Sequence, residues 1–198
     1  MRPFQILREI KSVSFATVSG GLPQVRVIDV MLVQDERIYF LTARGKPFYE
    51  QLLDGGVVAV AGMTAEYLVV RLNGQIRQVE REWLDRIFEA NPMMNDLYPG
   101  EKRDILEAFC IYRGVGEIFD LGTHPPYRSR FAFGGAEVEP PGYRITERCT
   151  ACGLCLPACP IDVITEGEIY RIDGEHCLEC GRCREVCPAQ AIEAGAGL

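Results

Sequence analysis

The chain has 198 residues, 47% hydrophobic and 25% charged, with a formal net charge of −7 and a pI near 5.0. This is the composition of a folded globular protein of one large or two small domains, and its acidic balance excludes non-specific nucleic-acid binding, which needs a basic surface. No apolar run approaches the roughly 18 residues of a membrane span, and Arg8, Glu9 and Lys11 break the start of the chain, so neither a signal peptide nor a membrane partner is expected. A cytoplasmic location is the default expectation. Nine cysteines in such a chain point to metal or redox work rather than disulfides.

Up to about residue 133 the pattern is mostly strand. "VSFATVS", "QVRVIDVMLV", "RIYFLT", "VVAVAGM", "YLVVRLNG", "IRQVER" and "VGEIFDL" are rich in β-formers and bounded by Gly, Asn or Asp. "SGGLP" and "LNGQ" read as hairpin turns. Apolar residues recur at helical spacing in "PFQILREIK", "KPFYEQLLD" and "EWLDRIFEA". Many short antiparallel strands with few helices predict a barrel or sandwich.

Over residues 4–133 the chain resembles the FMN-binding split barrels related to pyridoxamine 5′-phosphate oxidase. Arg26 on an early strand, a hairpin to a strand ending in Thr42, and a loop with Lys46 leading into a helix that ends near Leu52 carry the likeness. "VVAVAG", "LVVRLNGQIRQVE" and "NPMMNDLYPGE" extend it. The resemblance implies an antiparallel split β-barrel whose Arg26, Thr42 and Lys46 hold the phosphate and ribityl chain of FMN. Arg44 adds a cationic donor for the phosphate dianion. The backbone at Val27, Ile28 and Leu41 would lie along the flavin ring. Without the resemblance, Arg26 and Lys46 read as solvated surface charges.

Several residues depart from the vitamin-salvage oxidase. Its second basic residue falls here at Met31, its flavin-contacting glutamine at Val69, and its Arg-x-His has no counterpart, since His124 and Arg128 stand at the wrong spacing. The fold and cofactor are therefore carried over and the pyridoxamine-phosphate activity is not. Cys110 reads as a small buried hydrophobe, Trp83 as a packing residue and His124 as a loop histidine, with flavin-side proton donor as its alternative role.

Residues 134–142, "GGAEVEPPG", read as a linker or extended crossing. Beyond them lies an internal repeat with a period of 28 that maps Cys149, Cys152, Cys155 and Cys159 onto Cys177, Cys180, Cys183 and Cys187. Each copy has the form C-x2-C-x2-C-x3-C-P, the bacterial iron–sulfur run in which the fourth cysteine ligates the other cluster. Gly153 and Gly181 allow tight turning between ligands. A helix is expected to open at each fourth cysteine. One 4Fe–4S cluster is then expected on Cys149, Cys152, Cys155 and Cys187, and a second on Cys177, Cys180, Cys183 and Cys159. Zinc ribbons would leave the third and fourth cysteines of each copy without a role. Residues 143–198 resemble two-cluster bacterial ferredoxins, with "IYRIDGEHC", "CPIDVI" and "CPAQAI" as matching segments, and the resemblance implies a βαβ pseudo-dyad. Ile145, Val163, Ile164, Ile169, Ile172, Val186 and Ile192 would seal the clusters from water. His176, beside Cys177, either tunes the second cluster or faces solvent.

The expectation is thus a split barrel (1–133), a linker (134–142) and a ferredoxin domain (143–198), together a flavin–iron–sulfur redox protein. FMN and two 4Fe–4S clusters are its cofactors. The split-barrel resemblance implies a homodimer with flavin at the subunit interface, and a redox protein or small molecule is the external electron partner. An FMN-dependent oxidoreductase with a pocket capped by residues 127–133 is one form of this reading. An electron carrier whose barrel only dimerises or docks is the alternative. No catalytic residue is identified.

Overall fold

The computed structural model describes residues 2–195. It comprises two compact units, one of Met1–Thr64, Val69–Gly116 and Ala132–Glu137, the other of Ala65–Leu68, Glu117–Phe131 and Val138–Leu198. These differ from the boundaries at 133 and 142. Residues 117–131 fall in the second unit, where Arg128 and Arg130 pair with Glu179. The expected linker is shared, with 134–137 in the first unit and 138–142 in the second. Gly134, at φ +62, is packed so closely that a Cβ would lie 2.1 Å from the Tyr112 carbonyl oxygen.

The first unit is built on α1 (Pro3–Ile10), β1 (Ser12–Ser19), β2 (Leu22–Asp29), β3 (Leu32–Gln34), β4 (Arg37–Ala43), α2 (Pro47–Gly55), β5 (Val57–Met63), β6 (Leu68–Gln78), α3 (Arg81–Ala90), the short α4 (Met94–Leu97) and β7 (Leu106–Asp120), except that Leu68 and the end of β7 from Glu117 belong to the second unit. The sheet runs β2-β1-β5-β6-β7-β4-β3, with β8 (Tyr127–Phe133) also on β7. Its two end strands, β2 and β3, are joined by only Val30 and Met31, so the sheet curls round on itself into a split barrel.

Period-two alternation sorts the side chains. On β4 and β7, Phe40 opposes Phe109 on one face, where Phe40 also packs with Phe15 and Phe48. Tyr39 opposes Cys110 on the other face, packed with Leu84, Ile87 and Phe88 of α3. Because α3 covers that second face, β4 reads as a nearly unbroken apolar run. Trp83 stacks on Tyr39 at 4.1 Å, in keeping with a packing role, and Cys110 is fully buried.

The "SGGLP" turn forms as expected, with Gly20 (φ +56) and Gly21 (φ +77) joining β1 to β2. "LNGQ" is not a turn: β6 runs straight through it. Gly74 instead marks a close strand approach, since a Cβ there would meet Ile111 Cγ2 at 2.3 Å. The opposing Gly114 has the same role, its would-be Cβ 2.2 Å from the Asn73 carbonyl oxygen.

In the second unit, β9 (Tyr143–Ile145) pairs antiparallel with β12 (Ile192–Ala194), and β10 (Ile164–Thr165) with β11 (Arg171–Ile172). Each strand that follows one cysteine motif thus pairs with the strand that precedes the other motif. Equivalent backbone bonds repeat this symmetry: Thr146 N–H to Ala191 O at 2.8 Å and Asp173 N–H to Val163 O at 2.9 Å. This is the ferredoxin-like pseudo-dyad. The expected helices at the fourth cysteines do not form. The helical turn α5 (Arg182–Glu185) ends before Cys187. Pro160 and Pro188 disfavour helical backbone in the cysteine preceding each. Among the described residues no helix is long and apolar enough to cross a membrane.

Candidate functional site

The eight clustered cysteines lie in two loops of matching shape. Gly153 (φ +80) and Gly181 (φ +78) supply the left-handed turn that a side chain resists. Ala151 (φ +52) and Glu179 (φ +55) are left-handed as well, and this points their N–H groups at Cys149 Sγ and Cys177 Sγ, each at 3.4 Å. Ala191 donates likewise to Cys187 Sγ at 3.4 Å. Cys149, Cys152, Cys155 and Cys187 line one small cavity beside Tyr170. Cys159, Cys177, Cys180 and Cys183 line another beside Tyr143. In both cases the fourth sulfur comes from the other motif. Among the described residues no three His, Cys, Asp or Glu side chains are placed to hold a single metal ion; the sulfurs surround a space.

Burial pushes the Cys155 thiol up from its ordinary range. Burial, followed by neighbouring Cys177, pushes Cys183 up to about 11. A positively charged occupant is needed to hold both as thiolates. Of the expected apolar shield, Ile164 and Ile192 are buried, but Ile169 is exposed and Tyr170 takes the interior position. Ile169 lies in the bend before β11 (Arg171–Ile172), outside the strand whose alternation would have seated it inside. His176 Nδ1 lies 2.9 Å from Asp173 Oδ2 and its ring meets Tyr127 edge-on, so its bonding is to Asp173 rather than to a cysteine.

The residues expected around a flavin phosphate lie in the first unit. Arg26 is not a solvated surface charge: it donates to Thr17 Oγ1 and Gln51 Oε1, both at 2.7 Å, and lies 4.4 Å over the Phe48 ring. Burial lowers its pKa. Thr42 is buried on β4, and its hydroxyl has no hydrogen-bond partner. Arg44 pairs with Glu107 at 2.5 Å, whereas Lys46 is exposed at the N-cap of α2. Val27 turns its side chain to solvent; Ile28 and Leu41 are half-buried.

Residues 148–191 match the family model for the 4Fe-4S dicluster domain. This segment is a 4Fe–4S dicluster domain. The chain is 55% identical over 31 residues to a ferredoxin of Butyribacterium methylotrophicum, covering 16% of this chain and 56% of that protein. The chain spans about half the length of the curated relatives it matches. Two solved structures share the barrel fold. A NimC/NimA family protein from Clostridium acetobutylicum superposes with a TM-score of 0.60 at 22% identity, covering 67% of this chain and 90% of that one. A second C. acetobutylicum protein, of the pyridoxinephosphate oxidase family and related to general stress protein 26 of B. subtilis, gives 0.52 at 15% identity, with 65% and 95% covered.

Two features of the dicluster domain's surroundings escape the sequence. Tyr143 and Tyr170, which flank the two cysteine cavities, are 27 residues apart, one short of the cysteine period. In the charged group Glu117, Arg128, Arg130 and Glu179, Glu179 stands 51 and 49 positions from its two arginine partners, beyond any local pattern. Within the segment 127–133, Arg128 and Arg130 turn to Glu179.

Proposed function

We propose that the chain is a flavin–iron–sulfur redox protein that passes electrons between two 4Fe–4S clusters and FMN. The carrying observation is the exchange of fourth cysteines: Cys187 completes the set of the first motif and Cys159 that of the second. The first cluster is held by Cys149, Cys152, Cys155 and Cys187, the second by Cys177, Cys180, Cys183 and Cys159. N–H donors on Cys149, Cys177 and Cys187 favour their thiolate forms and tune the potential.

The residues of the barrel fit a flavin phosphate. The buried Thr42 hydroxyl lacks a partner, and Lys46 stands at the start of a nine-residue helix whose first N–H groups favour an anion. Arg26 has five N–H donors, of which Thr17 and Gln51 take two. Bound FMN supplies two-electron chemistry that can be exchanged one electron at a time with the clusters. Arg26, Thr42 and Lys46 would orient it. Val18, Val25 and Val27 on β1 and β2, and Val57 on β5, stand exposed on one face of the sheet, which supports a homodimer.

One observation favours a second reading, an electron carrier whose barrel only dimerises or docks. Arg26 and Arg44 already have protein partners in Thr17, Gln51 and Glu107. Replacing Arg26 and Lys46 with Ala separates the two. Loss of flavin from protein purified anaerobically, with iron retained, supports the first reading. A wild-type protein that holds iron and never flavin establishes the second.

A further inference from the structure

The two cysteine loops repeat each other's backbone, but only one is gripped from outside. Glu179 lies between Cys177 and Cys180, and its counterpart in the first motif is Ala151. Glu179 Oε1 accepts from Arg130 at 3.0 Å and from the Gly142 N–H at 2.9 Å, while Oε2 accepts from Arg128. The Arg128 and Arg130 side chains are only 8% and 4% exposed, and Glu117, 2% exposed, lies 3.5 Å from the first and 3.7 Å from the second. Arg128 also sits 4.5 Å over the Phe119 ring, and its own N–H donates to Glu175 O, two residues before Cys177. All of these residues belong to the second unit.

Two buried arginines on one carboxylate need a reason, since desolvating them is costly and a neutral apolar packing is often no less stable. The geometry points to a task at the neighbouring cysteines. Glu179 is non-glycine at φ +55, a conformation that needs support from its surroundings. That same conformation delivers the Glu179 N–H to Cys177 Sγ. We propose that Arg128 and Arg130 are positioning residues for the second cluster: through Glu179 they hold the Cys177–Cys180 loop in its ligating shape, and their charges set that cluster's potential apart from the first. This rests on the two-cluster reading above. Two arginines against Glu117 and Glu179 are balanced. Removing one acid leaves local positive charge, which favours the more negative reduced cluster; removing one arginine does the reverse. In a site of low dielectric these terms outweigh their values in water.

The test uses the full chain with clusters, following each cluster by potentiometric titration with EPR detection and its iron loss to a chelator. Glu179→Gln should raise the potential of the second cluster and speed its iron loss on the order of tenfold, the scale of a buried charge-assisted bond, while the first is unmoved. Arg130→Gln should lower the same potential. Where Arg130→Gln does not fold, Glu117→Gln serves: it removes charge without touching the loop, so it should raise the potential and leave iron loss near wild type. A shift of Arg130→Gln in the same direction as Glu179→Gln, no rise with Glu117→Gln, or equal shifts in both clusters would mean a fold staple and overturn the proposal. Unchanged potentials and loss rates in a protein that holds about eight iron overturn it too, with the cluster reading intact. A wild-type protein with no clusters defeats that reading instead.

Discussion

The first and second cysteine motifs share spacing, glycine and a left-handed residue after the first ligand, yet they are supported differently. In the first, that residue is the exposed Ala151, whose methyl group offers no polar atom to hold. In the second it is Glu179, held by Arg128, Arg130 and the Gly142 N–H. Cys177 is buried where Cys149 is only partly so. A duplicated ligand pattern therefore does not make duplicate sites. What surrounds the ligands separates two centres that the sequence repeat makes look alike.

The largest effect that can break this comparison comes from the crossed cysteines. Cys187→Ser should remove the first cluster and leave the second, and Cys159→Ser the reverse, each dropping iron from about eight to about four per chain. Resonance Raman or EPR identifies the survivor. Loss of the cluster belonging to the mutated motif would refute the crossing.

Acidity should divide the motifs next. Burial raises the Cys183 thiol to about 11, well above its ordinary range. A raised pKa stabilises the folded apo-protein below the ordinary thiol range, and this contribution is lost as pH rises through about 11. Cluster assembly must remove that proton, so the yield of reconstitution into the second set should rise with pH across about 7 to 9. Iron analysis of the Cys159→Ser and Cys187→Ser variants at each pH measures both sets separately. A flat profile for the second set contradicts the expectation.

Smaller effects come from the loop glycines. Gly153→Ala and Gly181→Ala both put a side chain at φ near +80, costing about 1 kcal/mol or more. A Cβ at Gly181 would also come within 3.3 Å of Tyr143 Oη, against 3.8 Å to Tyr170 Oη at Gly153. Iron-release rates should therefore change more for Gly181→Ala. The smallest effect belongs to His176→Ala, which should leave both potentials within error, because His176 is bonded to Asp173. A shift in the second cluster alone would show a role for the imidazole.

The parts legible in the sequence are those with local or repeated signals. Arg26, Thr42 and Lys46 stand in the order of the split-barrel pattern, and the fold appears as that pattern implies. The C-x2-C-x2-C-x3-C-P run carries the expectation of crossed cysteine sets, and the cavities place Cys187 with the first motif and Cys159 with the second. Misreadings occur where a residue type has two structural uses. Asn73–Gly74 resembles a hairpin turn, but Gly74 is small because β7 passes against it. Ile169 reads as part of the strand leading into the second motif, but it lies in the bend before β11 and Tyr170 is buried in its stead. The grip of Arg128 and Arg130 on Glu179 spans 51 and 49 positions, so no periodicity announces it.

The central claim, that one chain joins two clusters to a flavin, is tested most directly by counting electrons. Anaerobic reductive titration of the purified protein, followed by flavin absorbance and EPR, should consume about four electrons per chain: two bleaching the flavin and one entering each cluster. An endpoint of about two electrons with no flavin band would contradict the account and leave the chain a two-cluster carrier.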